Sequence, residues 1–146
     1  MKLSTKTRYG LTAMIALTKY YPSGQYISLV KLSEELGISK IYLEQIFYLL
    51  KQSDLLLSVK GPKGGYRLAK EPGLITMFDI FYTTESDLFI KTADETSPSS
   101  INQVIDQVIV TPMSNQLEEV LKGITLAKMQ EEAEKRHLRD VHMYYI

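Results

Sequence analysis

Between Lys40 and Ser53 four large apolar residues, Leu43, Ile46, Phe47 and Leu50, fall at i, i+3, i+4 and i+7. That spacing draws one buried stripe along an α-helix, and it constrains the fold more than any other feature of the chain. The opposite side of the same helix carries Lys40, Glu44, Gln45, Tyr48 and Lys51, residue types that hydrogen-bond rather than pack. A shorter helix precedes it: Ser28 offers a capping hydroxyl, Leu29, Val30, Leu32 and Leu36 share a side, and Gly37 supplies a left-handed C-cap. With Ile38 and Ser39 completing the turn, the order is that of a helix-turn-helix, whose second helix lies in the DNA major groove. An ordinary helical hairpin has the same spacing.

The next segment separates these two readings. Leu55 to Val59 is a short apolar strand, Lys60-Gly61-Pro62-Lys63-Gly64-Gly65 is a turn with two basic residues, and Tyr66-Arg67-Leu68-Ala69 alternates as a returning strand. Glycines at 61, 64 and 65 permit positive φ and close approach of backbone amides to phosphate, while Lys60, Lys63 and Arg67 add charge. A nucleotide-cradling loop competes for such a turn, but Gly-x-x-x-x-Gly-Lys-Ser/Thr is absent and no helix follows directly. A helix-turn-helix followed by a hairpin is a winged helix. A first helix over residues 4 to 21, capped by Ser4 and stopped by Pro22-Ser23-Gly24, precedes it. Past the break at Pro72-Gly73, Thr76 to Glu85 reads as a helix that turns Met77, Ile80 and Phe81 inward and closes the domain.

The formal charge of the 146 residues is zero, yet the halves differ: residues 1–72 carry 11 basic and 5 acidic side chains, residues 73–146 carry 6 and 12. A basic amino-terminal half points to a polyanion, nucleic acid first, and an acidic remainder to a part that stays off it.

That remainder begins with a polar stretch containing Asp94-Glu95-Thr96-Ser97-Pro98-Ser99, read as a connecting loop over 86–100. Ser100 and Gln103 have capping-box spacing, and Ile101, Val104, Ile105, Val108, Met113, Leu117, Val120, Leu121 and Ile124 continue as an apolar stripe to a stop at Gly123 and just beyond. Residues 1–85 cannot cover a stripe on a helix about 30 Å long, so a second subunit is its expected cover. Pro112, after the β-branched run Val108-Ile109-Val110-Thr111, predicts either a kink or a break into two helices with Thr111 as the new cap. Thr125 is placed to cap a final helix, which gives dimerisation helices over 101–136 and a tail over 137–146.

Several function classes are excluded. The chain has no cysteine, which removes disulfides, thiolate zinc sites and cysteine-ligated iron–sulfur clusters. No run approaches the ~18 apolar residues of a membrane span, and the start Met-Lys-Leu-Ser-Thr-Lys-Thr-Arg lacks a signal core, so a cytoplasmic protein with no membrane partner is expected. Two histidines and no nucleophile–base spacing argue against an enzyme. His137, Asp140 and His142 read as tail surface rather than as a metal site, and no resident cofactor is expected.

Three motifs then carry a resemblance. Ser4-Thr5-Lys6-x-Arg8-Tyr9-Gly10-Leu11, Ile38-Ser39-x-x-Tyr42-Leu43-Glu44-Gln45-Ile46 and Val59-Lys60-Gly61-Pro62-Lys63-Gly64-Gly65-Tyr66-Arg67-Leu68 resemble the Rrf-type winged-helix transcription regulators, in order, over residues 1 to about 85. The ending Gly-Ile-Thr-Leu-Ala at 123–127 is more weakly similar.

The resemblance implies a mainly α fold with a small β-hairpin: a winged helix-turn-helix domain over 1–85 plus a long C-terminal dimerisation helix. It further implies a homodimer, clasped through Ile101, Val104, Ile105, Val108, Leu117, Val120, Leu121 and Ile124, that binds a palindromic operator in double-stranded DNA. Ser39, Lys40, Tyr42, Glu44, Gln45 and Tyr48 would then stand near base edges or adjacent phosphates, Gln45 able to pair with adenine and Glu44 able to accept from cytosine; core packing is the other reading of Tyr42. Lys60, Lys63, Gly64 and Arg67 would serve the wing, and Lys2, Lys6 and Arg8 would meet phosphate.

Cluster-binding members of the family carry three cysteines after the winged domain, where this chain has none between Ser86 and Asn102. The expectation is therefore a regulator, a repressor, whose effector is a small molecule or a protein rather than a cysteine-ligated cluster. A winged-helix protein-interaction module without DNA binding is the alternative.

Overall fold

The computed structural model describes residues 1–89 and 100–144, with side chains to Leu138. Helix α1 spans Thr5–Thr18; the Ser4 side chain accepts from the Thr7 amide, so the capping residue is the one expected, but the helix ends at Lys19, ahead of Pro22. Helix α2 is Leu29–Leu36, capped by Ser28 and ended by Gly37 at φ +65°. Helix α3 is Lys40–Gln52, and its buried residues are Leu43, Ile46, Phe47 and Leu50. Its C-terminus carries no glycine: Asp54 takes the left-handed conformation at φ +58°, while the Leu55 amide reaches back to the Leu50 carbonyl at 3.0 Å.

Strands β1 (Leu56–Val59) and β2 (Gly65–Leu68) pair antiparallel, Leu56 opposite Leu68 and Val59 opposite Gly65. The free edge of β2 is taken by Ile27, just before α2: its amide donates to the Tyr66 carbonyl at 2.9 Å, and the Tyr66 amide donates back at 2.8 Å. Gly65 is what allows this approach, because a Cβ there would lie 2.2 Å from the Ile27 carbonyl oxygen. The wing is thus bolted to the start of α2 as well as to β1.

After a single 3-10 turn at Pro72–Leu74, Thr76 and Asp79 form a reciprocal capping box, and helix α4 follows over Met77–Thr84 with Met77, Ile80 and Phe81 in the core. The stretch expected as a loop from residue 86 begins with another 3-10 turn, Ser86–Phe89, whose Phe89 ring packs edge-on against Phe78 at 5.2 Å. The rest of the expected loop, 90–99, lies outside the described residues.

Helices α5 (Ser100–Ile105) and α6 (Thr111–Lys122) are joined by a π-helical turn, Asp106–Val110. This is how the chain accommodates Pro112. Thr111 stays helical at φ −63° and donates to the Asp106 carbonyl five residues back, so it is not a new cap and the chain does not break into separate helices. Helix α7 spans Leu126–Tyr144, and the Thr125 hydroxyl accepts from the Lys128 amide at 3.1 Å. Residues 137–144, expected as a tail, belong to this helix; 145 and 146 lie outside the described residues.

The carboxy-terminal helices are tied back to the winged domain by backbone pairing. Met77 donates to the Ile124 carbonyl and Leu126 to the Ile75 carbonyl, each at 2.8 Å. Leu121 and Leu126 accordingly join one core with Met14, Leu17, Leu43, Phe47, Leu50, Ile75 and Ile80, and α7 packs along α1.

Candidate nucleic-acid interface

Because Leu43, Ile46, Phe47 and Leu50 sink one side of α3 into the core, its other side is fixed outward. Ser39, Lys40, Glu44, Gln45, Tyr48 and Lys51 are all exposed there. Ser39 stands at the N-cap without a side-chain capping bond, leaving the first-turn amides of α3 open to a partner. Tyr42 differs: it is half-buried, with its ring edge-on to Tyr9 at a centroid separation of 5.5 Å. One residue of this face escaped the sequence reading. Ile41 is 70% exposed and falls in line with Gln45 and Tyr48 at i, i+4 and i+7. The signal was an isoleucine off the buried stripe, and a side chain of that kind suits a thymine methyl group.

Lys60 and Lys63 are exposed on the wing turn, which is closed by a 2.9 Å hydrogen bond from the Gly64 amide to the Gly61 carbonyl. Gly61 and Gly65 have positive φ; Gly64 does not, and its role is proximity instead, since a Cβ there would lie 2.1 Å from the Val59 carbonyl oxygen. Gly64→Val is expected to open the turn and weaken duplex binding while the dimer mass is unchanged, as gel shift and light scattering would show. Equal loss of dimer mass would mean that the wing also supports the carboxy-terminal helices. Arg67 is not free like the lysines: it donates to the Gly24 carbonyl at 3.1 Å and stacks over Tyr26 at 4.7 Å, holding β2 to the loop before α2. Lys63 and Gly64 share a surface hollow of about 370 Å³ with Tyr26, Ser28 and Lys31, which adds a lysine that the sequence reading left out.

Lys2, Lys6 and Arg8 are exposed around the start of α1. On the carboxy-terminal side, Ile101, Val104, Ile105, Val108 and Val120 stand in solvent, Val108 at 67%. Leu121 is 7% exposed because it is covered by the protein's own core, with Leu117 and Ile124 partly covered beside it. The uncovered stripe therefore runs over α5 and the π turn, where Ile109 and Val110 extend it, and on to Met113 at the start of α6. A separate cleft of about 400 Å³ opens between α1 and α7, walled by Ile15, Ala16, Ala133 and Leu138 with Lys19, Gln130, Glu134 and His137 among its polar groups.

Among the described residues no helix is long and apolar enough to cross a membrane, and no group of three or more His, Cys, Asp or Glu side chains is placed to hold a metal ion.

Residues 3–132 match the family model described as Rrf2, iron-dependent transcriptional regulator. The chain is 31% identical to the HTH-type transcriptional regulator CymR of Bacillus subtilis (strain 168), over all of both chains. It is 30% identical to the HTH-type transcriptional regulator IscR of Aliivibrio salmonicida, over 96% of this chain and 83% of that one. Among solved structures it is similar to CymR, the global cysteine regulator of B. subtilis, at a TM-score of 0.69 and 31% identity over 90% of this chain and 98% of that one. The IscR of T. potens gives a TM-score of 0.69 at 36% identity, over 93% and 90%. The iron dependence in the family's description does not extend here to a cysteine-ligated cluster, since this chain has no thiolate to offer one. By sequence over nearly its whole length, and by its winged helix-turn-helix, the chain belongs to the Rrf2 family of transcriptional regulators, which are not enzymes.

Proposed function

We propose that the protein is a homodimeric repressor that binds a palindromic operator and releases or grips it in response to an effector other than a cysteine-ligated iron–sulfur cluster. The observation that carries this reading is the outward face of α3, where Ser39, Lys40, Ile41, Glu44, Gln45 and Tyr48 stand clear of the core on the second helix of a helix-turn-helix. Glu44 and Gln45 read base edges, Tyr42 and Lys40 fix the helix against its surroundings and the backbone, and Lys60, Lys63, Lys2, Lys6 and Arg8 neutralise phosphates. Arg67 serves the wing by holding it in place. The apolar stripe from Ile101 to Val110 supports dimerisation, being too long and too exposed for a lone chain in water. The cleft between α1 and α7 offers room for a small-molecule effector in a cytoplasmic setting.

Titration of a labelled duplex at several salt concentrations tests the reading. With three or four phosphate contacts per protomer, log K should fall against log salt with a slope of about −5 to −7. A flat response would favour a protein-docking module. Val104→Glu combined with Val108→Glu is expected to give a monomer by light scattering and to weaken duplex binding by about 100-fold, because each half-site would be bound alone.

A further inference from the structure

The start of α1 is held by a carboxylate from the far end of the winged domain. Glu85, the C-cap of α4, accepts through Oε1 from the Ser4 amide at 3.2 Å and from the Thr7 hydroxyl at 2.8 Å. The Ser4 hydroxyl donates to Thr7 Oγ1 at 3.1 Å, and Thr7 Oγ1 lies 2.9 Å from Thr84 Oγ1, so the contact continues into α4. Thr7 and Thr84 are buried, and the hydrogen bonds from Ser4 and Thr7, with Lys6 nearby, hold the Glu85 carboxyl below the usual carboxylate range. The Glu85 carboxylate thus takes the Ser4 amide, while the Ser4 hydroxyl oxygen takes the Thr7 amide, at the amino-terminal end of α1. The exposed side chains of Lys2, Lys6 and Arg8 flank the two residues that Glu85 holds.

We propose that Glu85 is a positioning residue for DNA binding: its carboxylate fixes Ser4 and Thr7, and so sets the place of the basic segment Lys2–Arg8 on the phosphate backbone. This rests on the DNA-binding reading above. Glu85 leads directly into the Ser86–Phe89 turn, whose Phe89 ring is packed on Phe78, so the chain on the carboxy-terminal side of Glu85 is anchored to α4.

Two substitutions in the full-length protein separate reach from charge. Glu85→Asp keeps the charge but draws the carboxylate back by about 1.5 Å, too far to keep both hydrogen bonds. Glu85→Gln keeps an acceptor in place and removes the charge. On a mixed-sequence duplex, Glu85→Asp is expected to weaken binding about tenfold and to make the salt slope shallower by about 2, one phosphate contact per protomer. Glu85→Gln is expected to stay within about twofold with the parental slope. Thermal melting and dimer mass check that both fold; should Glu85→Asp melt early, Thr7→Val removes the hydroxyl donor and gives the same readout. A parental slope in the folded Asp variant, a loss in Gln equal to that in Asp, or a gain in both would overturn the proposal. An unsubstituted protein that shows no salt-dependent duplex binding would remove the DNA reading itself.

Discussion

Gly65→Ala is expected to destabilise the winged domain by about 3 kcal/mol or more, the range reached when backbone must move to relieve a clash. The added Cβ would lie 2.2 Å from the carbonyl oxygen of Ile27 and 2.3 Å from its carbonyl carbon, on a backbone at φ +152°. Neither is a flexible side-chain end, so relief requires breaking the two hydrogen bonds between Ile27 and Tyr66 and leaving backbone groups of the buried Ile27 and half-buried Tyr66 unpaired. Tyr66 also packs its ring against Phe47 at 5.0 Å, which carries the disturbance to the buried side of α3. Gly37 is the control: its φ of +65° lies in the left-handed region, which a side chain tolerates at modest cost, and a Cβ there meets nothing within 4 Å. Gly37→Ala should cost only the left-handed strain, about 1–2 kcal/mol. Urea denaturation of the two variants gives the comparison, and equal losses would mean that the Ile27–Tyr66 pairing contributes little.

Reversing both free wing lysines, Lys60→Glu with Lys63→Glu, is expected to lower duplex affinity by about 100-fold or more and to make the salt slope shallower by roughly 3 to 4, since a dimer loses four cations. Both side chains are exposed and neither forms an ion pair within the described residues, so stability should stay within about 0.5 kcal/mol. Arg67→Glu does not belong in this variant. Its guanidinium holds Gly24 and Tyr26, and reversing it would confuse loss of phosphate contact with loss of structure. Melting curves that match the parent, together with lost gel shift, support the wing as a phosphate-binding element. Unchanged duplex binding would show that the wing is not used.

The helix-turn-helix was legible because every signal in it is local. The apolar stripe of α3, the Ser28 cap and the left-handed Gly37 each lie within a few residues of what they determine, and all three stand where expected. What escaped was long-range backbone pairing. Ile27 against Tyr66 and Ile75–Met77 against Ile124–Leu126 involve main-chain groups with no side-chain periodicity to reveal them. The same pairing explains Leu121: once the α6–α7 junction is fastened to the start of α4, that residue of the apolar stripe expected to dimerise is drawn into the protein's own core. Pro112 announced a disturbance, but not that a π turn one step upstream would absorb it. In the interface, exposed lysines and glycines could be read from type and order, whereas the internal bonds of Arg67 and the outward placement of Ile41 needed the three-dimensional arrangement.

Selection of genomic fragments by the purified protein at two salt concentrations, with the retained DNA sequenced, tests the central claim most directly. The account predicts one enriched palindromic site, with half-sites about one helical turn apart as a two-fold dimer requires, whose recovery falls steeply at the higher salt. Failure to enrich any sequence, both with the protein alone and with cell extract added to supply an effector, would contradict it and leave the winged helix as a surface for protein docking.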